Sequence, residues 1–304
     1  VFLFFCFFCL LIESFDKNQF ISLASLRYLD ISNNFLQTLP ASLFSSQDKS
    51  LEYLNLNNNF LSEIPKETFS KLSWVRYLHL SQNRIRILRN YSFGYMSQLF
   101  ELYLANNQIE IIEPEAFFID KNAFIGPGLV EKVDLSSNRI ASLNSTIFYY
   151  LTNLRYLILS NNQIRHIDYN ALKGVNFLIS LDLSLNLIKN VDFLFNRNFS
   201  STLRFLKLSN NLLSFLKPGQ FFHLKSLNTL DLSANSIKHL ADCAFYGIQD
   251  SIKKLILNYN QIKHLNPCTF TMDFKSLRFI QILHNPLNCS SNCEFFYAVY
   301  NPPY

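Results

Sequence analysis

An α/β solenoid is the fold class that this sequence predicts, and three observations carry it. The pattern LxxLxLxxN, with Val or Ile at some of the leucine positions, recurs eleven times, beginning at Leu26, Leu51, Val75, Leu99, Val130, Leu154, Leu178, Leu203, Leu227, Ile252 and Leu277. Successive copies start 24 or 25 residues apart, with one longer step of 31 into Val130. An asparagine closes every copy, from Asn34, Asn59 and Asn83 through Asn162 and Asn211 to Asn285. A fixed period in this range belongs to a solenoid, in which each unit buries its apolar face only against its neighbours. A solenoid has no single core that limits its size, so 304 residues read as one elongated domain.

Within the first repeat, Leu29 and Ile31 alternate with Tyr28, Asp30 and Ser32. Period-two alternation predicts a short strand whose leucine and isoleucine point inward. Leu26, Leu36 and Leu39 fill the same core from the turns. Ten residues after the asparagine stands an aromatic column: Phe44, Phe69, Phe93, Phe117, Phe148, Phe221, Phe245 and Phe270, with Leu172 and a shifted Phe195 as variants. This column predicts a stacked spine on the side opposite the strands. The asparagine has a different task. Where the chain leaves the strand it strands backbone N–H and C=O groups, and an amide offers donors and an acceptor in a small volume.

These repeats resemble the extracellular leucine-rich repeat family in its typical 24-residue class, over about residues 20–293. The resemblance implies a right-handed horseshoe with a parallel β-sheet on the concave side and loops or short helices on the convex side. It also implies an extracellular or cell-surface protein that recognises a protein ligand or co-receptor. Toll-type receptors are the first subgroup to consider, because they combine 24-residue repeats with an NPxxC cap; "NPLNC" stands here at Asn285–Cys289. Adhesion proteins of the chaoptin or connectin kind, binding their own kind or another, are the alternative, and either role admits a homodimer.

Residues 1–13 open with the apolar run VFLFFCFFCLLI, too short to span a membrane and suited to the core of a secretion signal. Residues 14–25 read as a partial repeat, since Phe20 and Leu23 precede Leu26 as the ends of later repeats precede theirs. Residues 26–284 hold the eleven repeats, and residues 285–304 the start of a cysteine-containing cap with Cys289 and Cys293. Cys293 departs from the family's closer spacing, which puts the cap's pairing in doubt. Membrane anchoring would come from segments outside this chain.

Cys243 and Cys268 each lie eight residues after a ladder asparagine, in adjacent repeats. Coils about 5 Å apart bring such a pair within disulfide range. The alternatives are a bridge or two free thiols. Four N-x-S/T sequons occur, at Asn90, Asn144, Asn198 and Asn288, none on a predicted strand.

The outward strand positions form the candidate ligand face. Tyr28, Tyr53, Tyr77, His79 and Tyr103 cluster in the first four repeats, and Tyr156, Phe205 and Lys207 follow further along. Exposed tyrosines either stabilise a sheet by cross-strand stacking or serve as binding hot spots. One flank is basic: Arg86, Arg165, His166, Lys189, Lys238, His239, Lys263 and His264 recur just past the strands. Such a column is either an ordinary solvated flank or a site for an anionic glycan or nucleic acid. Seven extra residues between Phe118 and Leu129 predict a loop. No GxSxG, metal-ligand spacing or glycine-rich phosphate loop occurs, and the chain has 6 glycines in all. The sequence therefore predicts neither an enzyme nor a cofactor or metal site.

Overall fold

In the computed structural model, which describes residues 3–7, 10–119, 129–195, 199, 201–265 and 274–288, the chain is a stacked solenoid. Each coil contributes a short strand to one parallel sheet of 12 strands. The sheet runs from β1 (Leu3–Cys6) through β2 (Leu26–Asp30), β3 (Tyr53–Asn55) and β4 (Tyr77–His79) to Phe279–Gln281. Its register is the sequence repeat itself: Tyr28 faces Tyr53, Leu54 faces Leu78, and His79 faces Tyr103. The convex side consists mainly of turns, with the short helix α1 (Lys66–Phe69) after Pro65 and a 3₁₀ turn at Asp192–Phe195. Between them run two-stranded parallel ribbons, such as Ser142–Leu143 with His166–Ile167 and Phe215–Leu216 with His239–Leu240. The expectations at Cys9, Asn198, Cys268, Phe270, Cys289 and Cys293, and most of the Phe118–Leu129 insertion, lie outside the described residues.

The inward strand residues are fully enclosed, as Leu29, Ile31, Leu54 and Leu78 show. Behind them the phenylalanine spine stacks ring on ring, with Phe93–Phe117 and Phe221–Phe245 both at 6.1 Å between centroids. Phe195 is not part of it. In that coil the fully buried ring is Phe199, with Phe193 close behind, because the 3₁₀ turn shifts the chain relative to its neighbours. Phe195 is only half-buried.

The asparagine ladder ties coil to coil. Asn162 Nδ2 donates to Leu159 O of its own coil at 3.1 Å and to Leu135 O of the preceding coil at 2.9 Å. Its Oδ1 accepts Ile140 N–H at 3.0 Å. The same arrangement recurs at Asn59, Asn83, Asn107, Asn138, Asn186, Asn211, Asn235 and Asn260, all buried. The residue just before the ladder position has positive φ in all eleven repeats, between 50° and 58°. Five of these residues are asparagines, Asn33, Asn58, Asn106, Asn161 and Asn210, the side chain that best tolerates the left-handed region after glycine.

The apolar N-terminal stretch packs as one further coil. Phe5, Phe7, Ile12, Phe15 and Phe20 each stand 24 residues before Leu29, Ile31, Leu36, Leu39 and Phe44, so the stretch is in phase with the repeats. β1 pairs with β2, Phe7 N–H donates to Asp30 O at 2.8 Å, and Phe35 N–H donates to Ile12 O at 2.8 Å. Asn34 completes the join, donating to Phe7 O at 2.7 Å and accepting Ile12 N–H at 3.0 Å. The buried Gln47 amide donates to Phe20 O at 2.7 Å. Only the ladder position departs, with Leu10 where an asparagine would stand.

Candidate protein-recognition surface

Because the register is that of the repeat, outward side chains align in columns across the sheet. In β2 to β4 and the strand Glu101–Tyr103, these columns fuse into one aromatic ladder. The Tyr28 and Tyr53 rings stack at 4.2 Å, Tyr53 meets His79 at 4.9 Å, and His79 stacks on Tyr103 at 4.5 Å. Tyr77 packs edge-on to Phe100, and the Arg76 guanidinium lies 5.8 Å from the Tyr77 ring. Polar groups close the ladder's far end. Tyr103 O–H donates to Glu101, and Lys132 Nζ donates to the Tyr103 hydroxyl at 3.0 Å while lying over its ring.

Enclosure in this stack changes the ladder's titration. Burial pushes the Tyr53 phenol up, and its hydrogen bond to Tyr28 pushes the same way. Burial lowers the His79 imidazole below its ordinary range; the Asp30 and Glu101 carboxylates pull it back only in part, and Lys132 adds to the fall. Burial raises Tyr103, as does its bond to Glu101. For Lys132 burial acts downward, but the Tyr103 bond and the nearby carboxylates carry it up.

Five of the sequence-predicted face residues, Tyr28, Tyr53, Tyr77, His79 and Tyr103, are therefore brought together. The other three stand apart in later strands: Tyr156 and Phe205 are exposed, and Lys207 pairs with Asp182 at 3.0 Å. Tyr156 and Lys207 help line a shallow concave depression of about 360 Å³, shared with Glu101, Lys132, Ile158, Ser180 and Asp182. Phe100, Arg76, Glu101 and Lys132 join the site without having been singled out by sequence. Their signal was positional: Phe100 and Glu101 lie beside Tyr77 of the preceding coil, Arg76 adjoins Tyr77 in its own coil, and Lys132 meets Tyr103 of the preceding coil. Four outward aspartates have a local role: Asp30, Asp134, Asp182 and Asp231 each accept the hydroxyl of the serine two residues on, at 2.6 to 2.7 Å. The recurrent D-x-S sequence carried that signal.

The flank residues Arg165, His166, Lys189, Lys238, His239, Lys263 and His264 are exposed on the descending side, and Arg86 reaches Gln108. Asn144 and Asn288 are exposed and Asn90 is half-buried, its amide oxygen accepting Glu115 N–H at 2.9 Å; none lies on the concave sheet. Cys243 is half-buried, with positive φ.

Family models for the leucine rich repeat match residues 25–46, 49–109, 129–188, 178–237, 201–250 and 225–287. The chain belongs to the leucine-rich repeat family, whose solenoid is a protein-interaction scaffold. No curated protein sequence matches it. Among solved structures it is similar to TLR13 in complex with a single-stranded RNA, at 26% identity and a TM-score of 0.77, covering 92% of this chain and 43% of that one. It is also similar to a chain of the LRIM1/APL1C complex, at 20% identity and a TM-score of 0.74, covering 93% of this chain and 48% of that one. Toll of Drosophila, solved with Spatzle, matches at 20% identity and a TM-score of 0.73, covering 99% and 43%. The chain thus spans less than half the length of each of these three. Among the described residues, no helix is long and apolar enough to cross a membrane.

Proposed function

We propose that this chain is the ligand-recognising part of a Toll-type extracellular receptor, and that it engages a protein through the concave aromatic ladder. The observation that carries this is the continuous stack of Tyr28, Tyr53, His79 and Tyr103 on an outward face. Stacked rings held by a rigid sheet lose little conformational entropy on binding and present large amphipathic area, as binding hot spots do. The sequons at Asn90, Asn144 and Asn288 lie off the concave strands, so glycans attached there would leave this face bare. TLR13 and Toll, which share the fold, were each solved with a macromolecular ligand, RNA in one and Spatzle in the other. Catalysis has no part in this reading.

A cell-based assay tests it. Cells displaying the chain are exposed to a library of secreted proteins, and captured partners are re-tested against Tyr53→Ala and His79→Ala. Loss of a partner with both variants, alongside ligand-induced dimerisation, supports the receptor reading. Clustering of displaying cells with no added ligand would replace it with homophilic adhesion.

A further inference from the structure

On the descending flank, the third and fourth residues after each ladder asparagine turn outward. In repeats 6 to 10 these pairs are Arg165–His166, Lys189–Asn190, Ser214–Phe215, Lys238–His239 and Lys263–His264, all exposed. No carboxylate stands among them, or at the two positions just before each pair. The same positions in the earlier repeats carry both signs: Glu63 and Glu110 alternate with Arg84, Arg86 and Arg139, and Arg139 pairs with Glu110 at 3.4 Å. Among the described residues, none of Arg165, Lys189, Lys238 and Lys263 makes an ion pair. The acidic groups that follow along the chain lie beyond the pairs, at Asp168, Asp192 and the exposed Asp242. Asp192 holds Lys217 at 2.9 Å, and Asp168 accepts Asn170 N–H at 2.8 Å.

The file is also rigidly spaced. Arg165 N–H donates to Ala141 O and Lys238 N–H to Ser214 O, each in the preceding coil. His166 and His239 sit in paired strands. Stacked coils repeat at about 5 Å, so four steps from Arg165 to Lys263 span roughly 20 Å.

From this we infer that the descending flank of repeats 6 to 10 binds a linear sulfated polysaccharide. Cations in single file at a fixed spacing match anions repeated along a polymer, and three imidazoles add N–H donors for sulfate oxygens. A single-stranded nucleic acid calls for successive aromatic platforms as well. Besides the three imidazoles this file has one aromatic ring, Phe215, in the coil that lacks a cation, and no tyrosine or tryptophan. The site lies on a different face from the aromatic ladder and does not depend on it.

The test is binding of the purified chain to immobilised heparin, with fully desulfated heparin and single-stranded oligouridylate as comparators, over a salt series. Heparin should bind, and binding should weaken steeply with salt as the charges are screened. The double variant Lys238→Glu/Lys263→Glu should lose roughly tenfold or more, since reversal removes attraction and adds repulsion. Tyr53→Ala should bind heparin like the parent chain, which separates this inference from the receptor reading. An unchanged thermal melt for the double variant keeps the loss attributable to charge. The proposal is overturned if heparin fails to bind at low salt, if desulfated heparin binds as well, if oligouridylate binds more tightly, or if the folded double variant binds undiminished.

Discussion

The two halves of the concave sheet share a backbone, a register and a core, yet their outward faces differ in kind. From β2 to the strand Glu101–Tyr103 the outward rings form a continuous stack. From Tyr156 onward the rings are isolated and exposed, with Tyr156, Phe205 and Phe279 separated by charges such as the Asp182–Lys207 pair. The inward residues of both halves are equally enclosed. The repeat consensus therefore constrains the core and leaves the outward columns free to diversify, which is how a single fold hosts many specificities. The same division appears on the flank, where the third and fourth positions after the ladder asparagine are mixed in sign in the early repeats and basic in the late ones.

The largest expected effect tests what the halves have in common. Asn211→Ala, in the late half, leaves Ile188 N–H without its acceptor and takes one of two amide donors from Leu183 O and Leu208 O, which keep Asn186 and Asn235, and should cost roughly 1–3 kcal/mol. Asn162→Ala should cost about the same. Asn34→Ala should match them, because Phe7 O and Ile12 N–H fill the places that a preceding coil fills elsewhere. Denaturant melts of the three variants decide it. A silent Asn34→Ala beside a costly Asn211→Ala would show that residues 3–12 do not serve as a coil in the mature chain, as their removal with a secretion signal would require.

The second test breaks the comparison directly. Tyr53→Ala removes contacts with both Tyr28 and His79, and aromatic pairs contribute about 0.5–1.5 kcal/mol each beyond area. The loss should therefore be about 1–3 kcal/mol. Tyr156→Ala should cost well under about 0.5 kcal/mol, the usual range for an exposed side chain. Equal losses would mean that the stack is no more than a row of neighbouring rings.

A smaller effect concerns acid. His79 is held below imidazole's ordinary range, chiefly by burial. The unfolded chain, with a histidine pKa of about 6.5, takes up its proton first as pH falls. Stability from this residue is thus complete above about pH 6.5 and is lost as pH falls below it. His79→Phe keeps the stacking and removes the proton uptake, so its melting temperature should fall less between neutral and mildly acidic pH than that of the parent. Parallel pH profiles would count against the stated burial of the imidazole.

Much of this was legible in the sequence, because a repeat reports the same physics many times over. Eleven asparagines at one position announce a ladder, and the columns Tyr28, Tyr53, Tyr77 and Tyr103 fall on one face by counting alone. What single columns cannot show is contact between columns. The fusion of Tyr53, His79 and Tyr103 into one stack depends on a diagonal packing of rings across strands, set by side-chain rotamers that spacing does not encode. The N-terminal coil was obscured for a different reason. An apolar run of that length suits an export signal as well as a strand and turn, and the missing asparagine hid a phase that its phenylalanines keep. Phe195 was misplaced because the 3₁₀ turn at Asp192–Phe195 breaks the fixed offset on which the column was counted.

The smallest effect follows from the positive-φ position before each ladder asparagine. Where it is Asn161 or Asn210, the short polar side chain suits the left-handed region; where it is Leu185, with φ 54°, a branched aliphatic chain occupies it. Leu185 is 51% exposed, so its side chain contributes little packing that a substitution would forfeit. Leu185→Asn should therefore stabilise the chain by about 0.5–1 kcal/mol, by relieving backbone strain alone. The reverse change, Asn210→Leu, should destabilise by a similar amount in the neighbouring coil. In paired melts, Leu212→Asn, at an exposed leucine outside the left-handed region, separates this from a generic gain of surface polarity, since only a strain term spares that site. If Leu185→Asn is neutral while Asn210→Leu is costly, the cost at Asn210 comes from its surroundings and the left-handed turn itself carries no measurable strain.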